Sequence, residues 1–187
     1  MVSADPAVRP APPGPSALRT PRLLLRPYTP EVARAIVAAD PRGRRWAAGF
    51  PRDDDQDVAD HYLRQPADAA APWRLPYELV LLETGETIGG IGLFEVAEED
   101  AVEVGYGLVP GAEGRGLATE ALVALLTAVL ALPAVRRVVA ITEHANAASQ
   151  RVLEKAGMVR IGADAEMYHY TTPGPGVRRY RADRENR

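Results

Sequence analysis

Residues 111–116 read Gly-Ala-Glu-Gly-Arg-Gly, and an unbroken helical run starts at Leu117. The first turn of a helix leaves backbone N–H groups unpaired, and the helix dipole makes them attractive to anions. Gly114 and Gly116 carry no Cβ, so a ligand can approach the backbone, and Arg115 adds a cation at the rim. Residues 114–119 (Gly114, Arg115, Gly116, Leu117, Ala118 and Thr119) therefore read as a cradle for a pyrophosphate. A plain tight turn with glycine at positive φ accounts for the same composition. Two nucleotide motifs are excluded. Gly111 and Gly116 have the Walker spacing, but Leu117 stands where that motif needs its lysine. Gly105-Tyr106-Gly107 runs into Pro110 and has neither the spacing nor the following helix of a dinucleotide fingerprint.

Other chemistry is narrowed by what the chain lacks. It has no cysteine, which removes disulfides, thiolate nucleophiles, Cys zinc sites and iron–sulfur ligation together. His61, His144 and His169 are scattered without ligand spacing, so no metal site is expected. Glu103 is the carboxylate of interest. Strand periodicity puts it on one face with Gly105, Gly107 and Val109, where it can take a proton or simply be solvated.

The elements that must position these residues follow from pattern and punctuation. Leu23–Pro27 reads as an edge strand ending at a proline, and Pro30 opens a helix that stops at Asp40-Pro41. Asp53-Asp54-Asp55 suits a helix start, running to Pro66. Residues 76–82 and 87–94 flank a Glu83–Glu86 turn as a hairpin, and 101–109 makes a third antiparallel strand. Ala, Leu and Val cover almost every side of the helix 117–131, which predicts a largely buried helix. A strand at 137–142, a helix at 146–156 capped by Asn146 and stopped by Gly157, and strands at 158–161 and 167–171 complete the pattern. The fold class is α+β: a mixed, mostly antiparallel central sheet flanked by helices. Residues 1–17 form a Pro-rich flexible leader, 18–172 the folded domain, and 173–187 a Gly/Pro loop with an Arg-rich strand or tail.

With 187 residues, 47% hydrophobic and 25% charged, the chain has globular proportions and can bury roughly 70% of its unfolded surface. Its 16 Gly and 17 Pro mark turns, strand ends and the leader rather than low complexity. No apolar run is long enough for a membrane helix, and the leader lacks the apolar stretch of a signal peptide. A net charge of −3 gives no basic field for nucleic acid. A cytoplasmic location fits the absence of cysteine.

Glu103–Pro110 followed by Glu113–Ala121 resembles the acetyl-CoA motif of the GNAT N-acetyltransferase superfamily. Asn146–Met158 resembles that family's second cofactor motif, and Thr20–Pro27 the opening strand of its ribosomal-protein N-terminal acetyltransferase branch. The first motif departs at Glu113, where the family carries Gln or Arg; Gly116 and Ala118 match. The resemblance implies acetyl-CoA as cosubstrate and an amine-bearing acceptor. It implies a strand that splays near Leu108 and Val109 and binds the pantetheine arm, with the Val109 N–H as oxyanion donor. Asn146 would contact the pantetheine and Ser149 the sulfur, while Glu103 would be the base and Tyr168 a general acid. Trp46, Phe50, Asp53, Asp54, Asp55 and Trp73 are available for a cationic amine, although the Asp run also serves as a helix cap.

The function so implied is transfer of acetyl from acetyl-CoA directly to a primary amine of a protein N-terminus or small molecule. Without cysteine, no cysteinyl-enzyme intermediate can form. An acyl-CoA-binding sensor or scaffold is the alternative that Glu113 leaves open. A homodimer is compatible with the sequence.

Overall fold

Turn chemistry and strand alternation in the middle of the chain build the centre of one sheet. The computed structural model describes residues 16–65, 75–97 and 101–174. Its strands are β1 (Leu18–Arg19), β2 (Leu23–Pro27), β3 (Tyr77–Leu81), β4 (Thr87–Glu95), β5 (Ala101–Leu108), β6 (Arg137–Glu143), β7 (Val159–Ala163) and β8 (Met167–Thr171). The order across the sheet is β1-β2-β3-β4-β5-β6-β8-β7. Every pairing is antiparallel except β5 with β6, which are joined by a helical crossover. The expected α+β class is the class observed.

Four helices cover the sheet: α1 (Pro30–Val37), α2 (Asp53–Arg64), α3 (Leu117–Leu130) and α4 (Ala147–Lys155). The start of α2 lies against one face, where Arg52 and Asp55 sit over Gly107 and Gly90. Alternate residues of β5 point the other way. On that side Tyr106 reaches Ser149 of α4, and Tyr170 of β8 reaches Glu154. Contacts of α3 with β1, β2, β5, β6 and α4 place it beside α4. Leu23, Leu25, Leu79, Leu117, Leu122 and Leu125 are at or near zero exposure, so the core is aliphatic, with Tyr170 as its one large ring at 0%.

Two expectations are corrected. β2 is an interior strand: it pairs with β3 on one side, and the chain before it, Leu18–Arg19, folds back as β1 to take the edge. Pro27 sits at the last pair of β2, opposite Tyr77, so it ends a ladder without interrupting one. Helix α3 is buried on one face only. Leu117, Ala121, Leu122, Leu125, Leu126 and Val129 are buried, whereas Val123 and Leu130 are about 40% exposed. An apolar residue on a helix does not by itself show which face meets the sheet. The Pro-rich leader up to residue 15, Trp73 and the Arg-rich segment from Arg178 lie outside the described residues. Among the described residues no helix is long and apolar enough to cross a membrane.

One buried charge holds the first half of the sheet in register. Glu78 of β3 is fully buried. It accepts from Arg26 Nε at 2.9 Å on one side and from the Thr87 hydroxyl at 3.1 Å on the other, so it joins β2, β3 and β4. Arg26 is itself 42% exposed, but removing it would leave a buried acceptor short of a donor, at about 1–3 kcal/mol. Arg26→Met should therefore lower stability by about 1–3 kcal/mol in urea denaturation. Adding Glu78→Gln to that variant should recover a large part of the loss.

Candidate functional site

The site begins where the sheet opens. The β5–β6 register covers only Ala101↔Arg137, Val102↔Val138 and Glu103↔Val139. β5 continues to Leu108 and β6 to Glu143, so their remaining lengths diverge. The Val109 N–H donates to the Ile88 carbonyl at 2.8 Å, on the β4 side. Antiparallel pairing alternates, so the N–H groups of Leu108 and Tyr106 turn the other way, into the opening. This corrects the expectation for Val109: its N–H is committed to β4, and the free donor at the strand end belongs to Leu108.

Below the opening lies the glycine turn. Gly114 and Gly116 have φ of 71° and 76°, the left-handed region that glycine enters without strain. Gly116 caps α3, and the first helical bond is Glu120 N–H to the Gly116 carbonyl at 3.1 Å. The N–H groups of Leu117, Ala118 and Thr119 therefore have no partner within the helix and point out of its N-terminus. The turn is anchored from β1 and β2. Glu120 accepts from the Thr20 hydroxyl (2.6 Å), the Arg22 N–H (2.9 Å) and Arg22 Nε (2.7 Å), and Arg22 Nη1 donates to the Arg115 carbonyl at 2.9 Å. Partial burial works to raise the Glu120 pKa, but the hydrogen bonds from Thr20 and Arg22 outweigh it and hold the carboxyl below its ordinary value. The Thr20–Pro27 segment thus contributes to the cradle as well as to the sheet.

An open groove of about 880 Å³ runs from this turn to α4. Gly114, Gly116, Leu117, Ala118, Thr119, Leu108, Asn146 and Ser149 line it, which brings most of the expected cofactor residues together. Arg115 does not line it; its guanidinium leans toward Glu83 at 3.9 Å. Glu113 does line it and is exposed. Arg151 and Lys155 also line the groove. The sequence reading overlooked them, although their spacing from Ala148 and Val152 along α4 puts all four on one helical face. They supply cations that Arg115 does not. Asn146 caps α4 by accepting from the Ser149 N–H at 2.9 Å, which fixes the position of Ser149.

Ser149 has a partner that the sequence reading did not name. Its hydroxyl lies 2.9 Å from the hydroxyl of Tyr106 on β5, across the opening. Burial pushes the Tyr106 phenol up to about 12, while the bond to Ser149 acts in the opposite direction. The phenol therefore keeps its proton at neutral pH. Tyr168 is elsewhere. Its ring stacks 4.2 Å from His144 and beneath the Arg160 guanidinium at 4.5 Å, and it lines neither cavity.

On the other face of β5 a second, smaller cavity of about 230 Å³ meets the groove. Its floor is the cross-strand glycine pairs Gly90↔Gly107 and Gly92↔Gly105, and Phe94, Tyr28, Val58 and Pro76 wall it. Arg52, Asp54, Tyr106 and Gly107 border both cavities. Of the residues expected to face an amine, Asp54 and Asp55 are here, whereas Trp46 and Phe50 pack on each other 5.2 Å apart. Glu103 lies on this face but lines neither cavity. Burial raises its pKa above the ordinary carboxylate value, and the charge of His169 partly offsets this.

The sequence matches the family profile described as Acetyltransferase (GNAT) domain over residues 22–159. The chain belongs to the GNAT acetyltransferase family. A curated relative, the uncharacterized N-acetyltransferase YjdG of Bacillus subtilis, is 30% identical over 93 residues. That match covers 49% of this chain and 55% of YjdG, so the chain spans about half the length of that relative. An acetyltransferase structure from Agrobacterium tumefaciens is 31% identical, with a TM-score of 0.59 over 86% of this chain and 96% of that one. The ribosomal-protein acetyltransferase RimL, solved with coenzyme A, has a TM-score of 0.59 at 17% identity over 83% of this chain and 97% of its own, which is a likeness of fold.

Acetyl-CoA is the cosubstrate that fits a GNAT enzyme, and the groove suits it. Unpaired N–H groups of Leu117, Ala118 and Thr119, with Arg151 and Lys155, would hold its phosphates. The Tyr106 N–H, which also faces the opening, would meet the pantetheine arm. Because Arg22 and Glu120 fix this turn, Arg22→Ala should weaken coenzyme A binding about tenfold by isothermal titration, the loss expected for one charge-assisted hydrogen bond.

Proposed function

We propose that this GNAT protein moves an acetyl group from acetyl-CoA directly to a primary amine. The observation that carries the reading is the meeting of the two cavities at Tyr106 and Gly107, on a strand freed from its neighbour. The large groove takes the cosubstrate and the small cavity presents the amine to the thioester. Transfer forms a C–N bond and breaks the C–S bond. The ammonium gives up two of its three protons, the amide keeping the third; the sulfur leaves as thiolate and takes up one proton to end as thiol, and the other goes to solvent.

The chain's own groups have distinct tasks in this reading. The Leu108 N–H donates to the oxygen on which negative charge develops, a preorganised donor that needs no rearrangement. The Ser149–Tyr106 hydroxyl pair faces the sulfur. A phenol at about 12 is a poor acid toward a thiolate of ordinary pKa about 8.5. The pair therefore stabilises the leaving sulfur as a hydrogen-bond donor, and the thiol proton comes from solvent. Glu103 takes the amine proton through water. Its raised pKa makes it a stronger base than an exposed carboxylate.

Release of free thiol from acetyl-CoA against a panel of primary amines tests the reading. Ser149→Ala or Tyr106→Phe should lower kcat about tenfold, the scale of one hydrogen bond to a charged group. Glu103→Gln should lower kcat/KM about a hundredfold. In the unsubstituted protein kcat/KM should fall as pH drops through the Glu103 pKa, which lies above 4.5 because burial raises it. Glu103→Gln should lose that limb. Tight coenzyme A binding without thiol release for any amine would instead favour a sensor or scaffold, and would sink the enzymatic reading.

A further inference from the structure

The small cavity ends on a guanidinium of which only one side is paired. Arg52 stands at the N-cap of α2, and its Nε and Nη2 donate to the two oxygens of Asp55, each at 2.9 Å. Asp55 is 4% exposed and also accepts the Arg52 backbone N–H at 3.0 Å, so this edge of the guanidinium is locked in place. Among the described residues Nη1 has no hydrogen-bond partner. Its nearest carboxylate, Asp54, is 3.8 Å away and largely exposed. Gly107 allows this placement. A Cβ there would stand 2.1 Å from Nη1 and 2.4 Å from the guanidinium carbon, so the planar group rests directly on the strand. Among the described residues Arg52 is the one cation lining the small cavity, and it borders the cosubstrate groove as well.

The charges around the cavity define what it accepts. Asp55 and Arg52 neutralise one another. What remains for a ligand is a pair of N–H donors on Nη1 with no hydrogen bond and, 3.8 Å away in a long ion pair, the largely exposed carboxylate of Asp54. A molecule carrying an anionic and a cationic group a few bonds apart satisfies both. The remaining wall is apolar, made by Phe94, Val58, Pro76 and the Tyr28 ring. The volume, about 230 Å³, is below the roughly 300 Å³ at which drug-sized pockets begin.

We propose that the acceptor is a free α-amino acid with an apolar side chain. Its carboxylate sits on Nη1 of Arg52, its ammonium lies beside Asp54 at the mouth of the groove, and its side chain lies against Phe94 and Val58. This rests on the acetyl-transfer reading and narrows its substrate. A peptide N-terminus has an amide where the carboxylate would be, and a polyamine offers no anion to Arg52.

The test compares L-leucine, L-methionine and L-phenylalanine with their carboxamides, a short peptide and spermidine. Thiol release is measured for each with the full chain, and binding of the same compounds to the coenzyme A complex is measured by titration calorimetry. The free acids should exceed their carboxamides in kcat/KM by about tenfold or more, since a bidentate charge-assisted contact is at stake. Two variants locate the cause. Arg52→Gln removes the cation. Gly107→Ala keeps it but displaces the guanidinium, the flexible end of a side chain. In both, the acid-to-carboxamide ratio should fall toward one. Equal turnover of acid and carboxamide, or a ratio unchanged by both variants, overturns the proposal. Turnover of the peptide or spermidine alone overturns it and leaves acetyl transfer standing. If no amine turns over, calorimetry decides: a free acid that binds no better than its carboxamide overturns the proposal too.

Discussion

The divergence of β5 from β6 is the constraint on which the rest depends. A sheet normally satisfies its N–H and C=O groups by pairing. Here the parallel ladder ends at Glu103↔Val139, and the last residues of β5 lose their partner on one side. The N–H groups of Tyr106 and Leu108 then face the opening without a strand partner. The same gap lets Tyr106 reach Ser149 and joins the groove on one face to the cavity on the other.

A gap in a sheet must be held open by structure on both sides. On one side Glu78, buried between Arg26 and Thr87, ties β2, β3 and β4 together, and β5 follows in unbroken register. On the other, β6 pairs fully with β8 and β8 with β7. The Thr20–Arg22–Glu120 hydrogen bonds fasten the glycine turn to the far end of the sheet. Asp55 does the same for Arg52. Polar groups in this protein serve less to stabilise it than to fix where backbone donors and one guanidinium point.

Much of the site was legible because it is local. The glycines at 114 and 116, the helix that follows and the Asn146 cap three residues before Ser149 are contiguous features whose geometry follows from short-range rules. Arg151 and Lys155 follow in the same way, from helical spacing along α4. Arg115 instead turns toward Glu83, a contact set by how the β3–β4 turn packs. The donor at the strand end was misassigned by one residue, because strand alternation has no phase until a neighbour's hydrogen bond supplies one. Here the Val109 bond to Ile88 supplies it.

By itself the sequence determined the element types, their order, the glycine turn that opens α3 and the impossibility of a cysteinyl intermediate. These depend on propensity, punctuation and composition, which act over a few residues or are simple counts. The tertiary structure alone decided that Tyr106 faces Ser149, that Tyr168 is occupied with His144 and Arg160, and that β2 is interior. It also decided that Arg52 lies on Gly107, hydrogen-bonded to Asp55 on one edge and 3.8 Å from Asp54 on the other. Each of these joins residues far apart in the chain, and a contact across such a distance is set by strand register and helix packing, which no local pattern encodes.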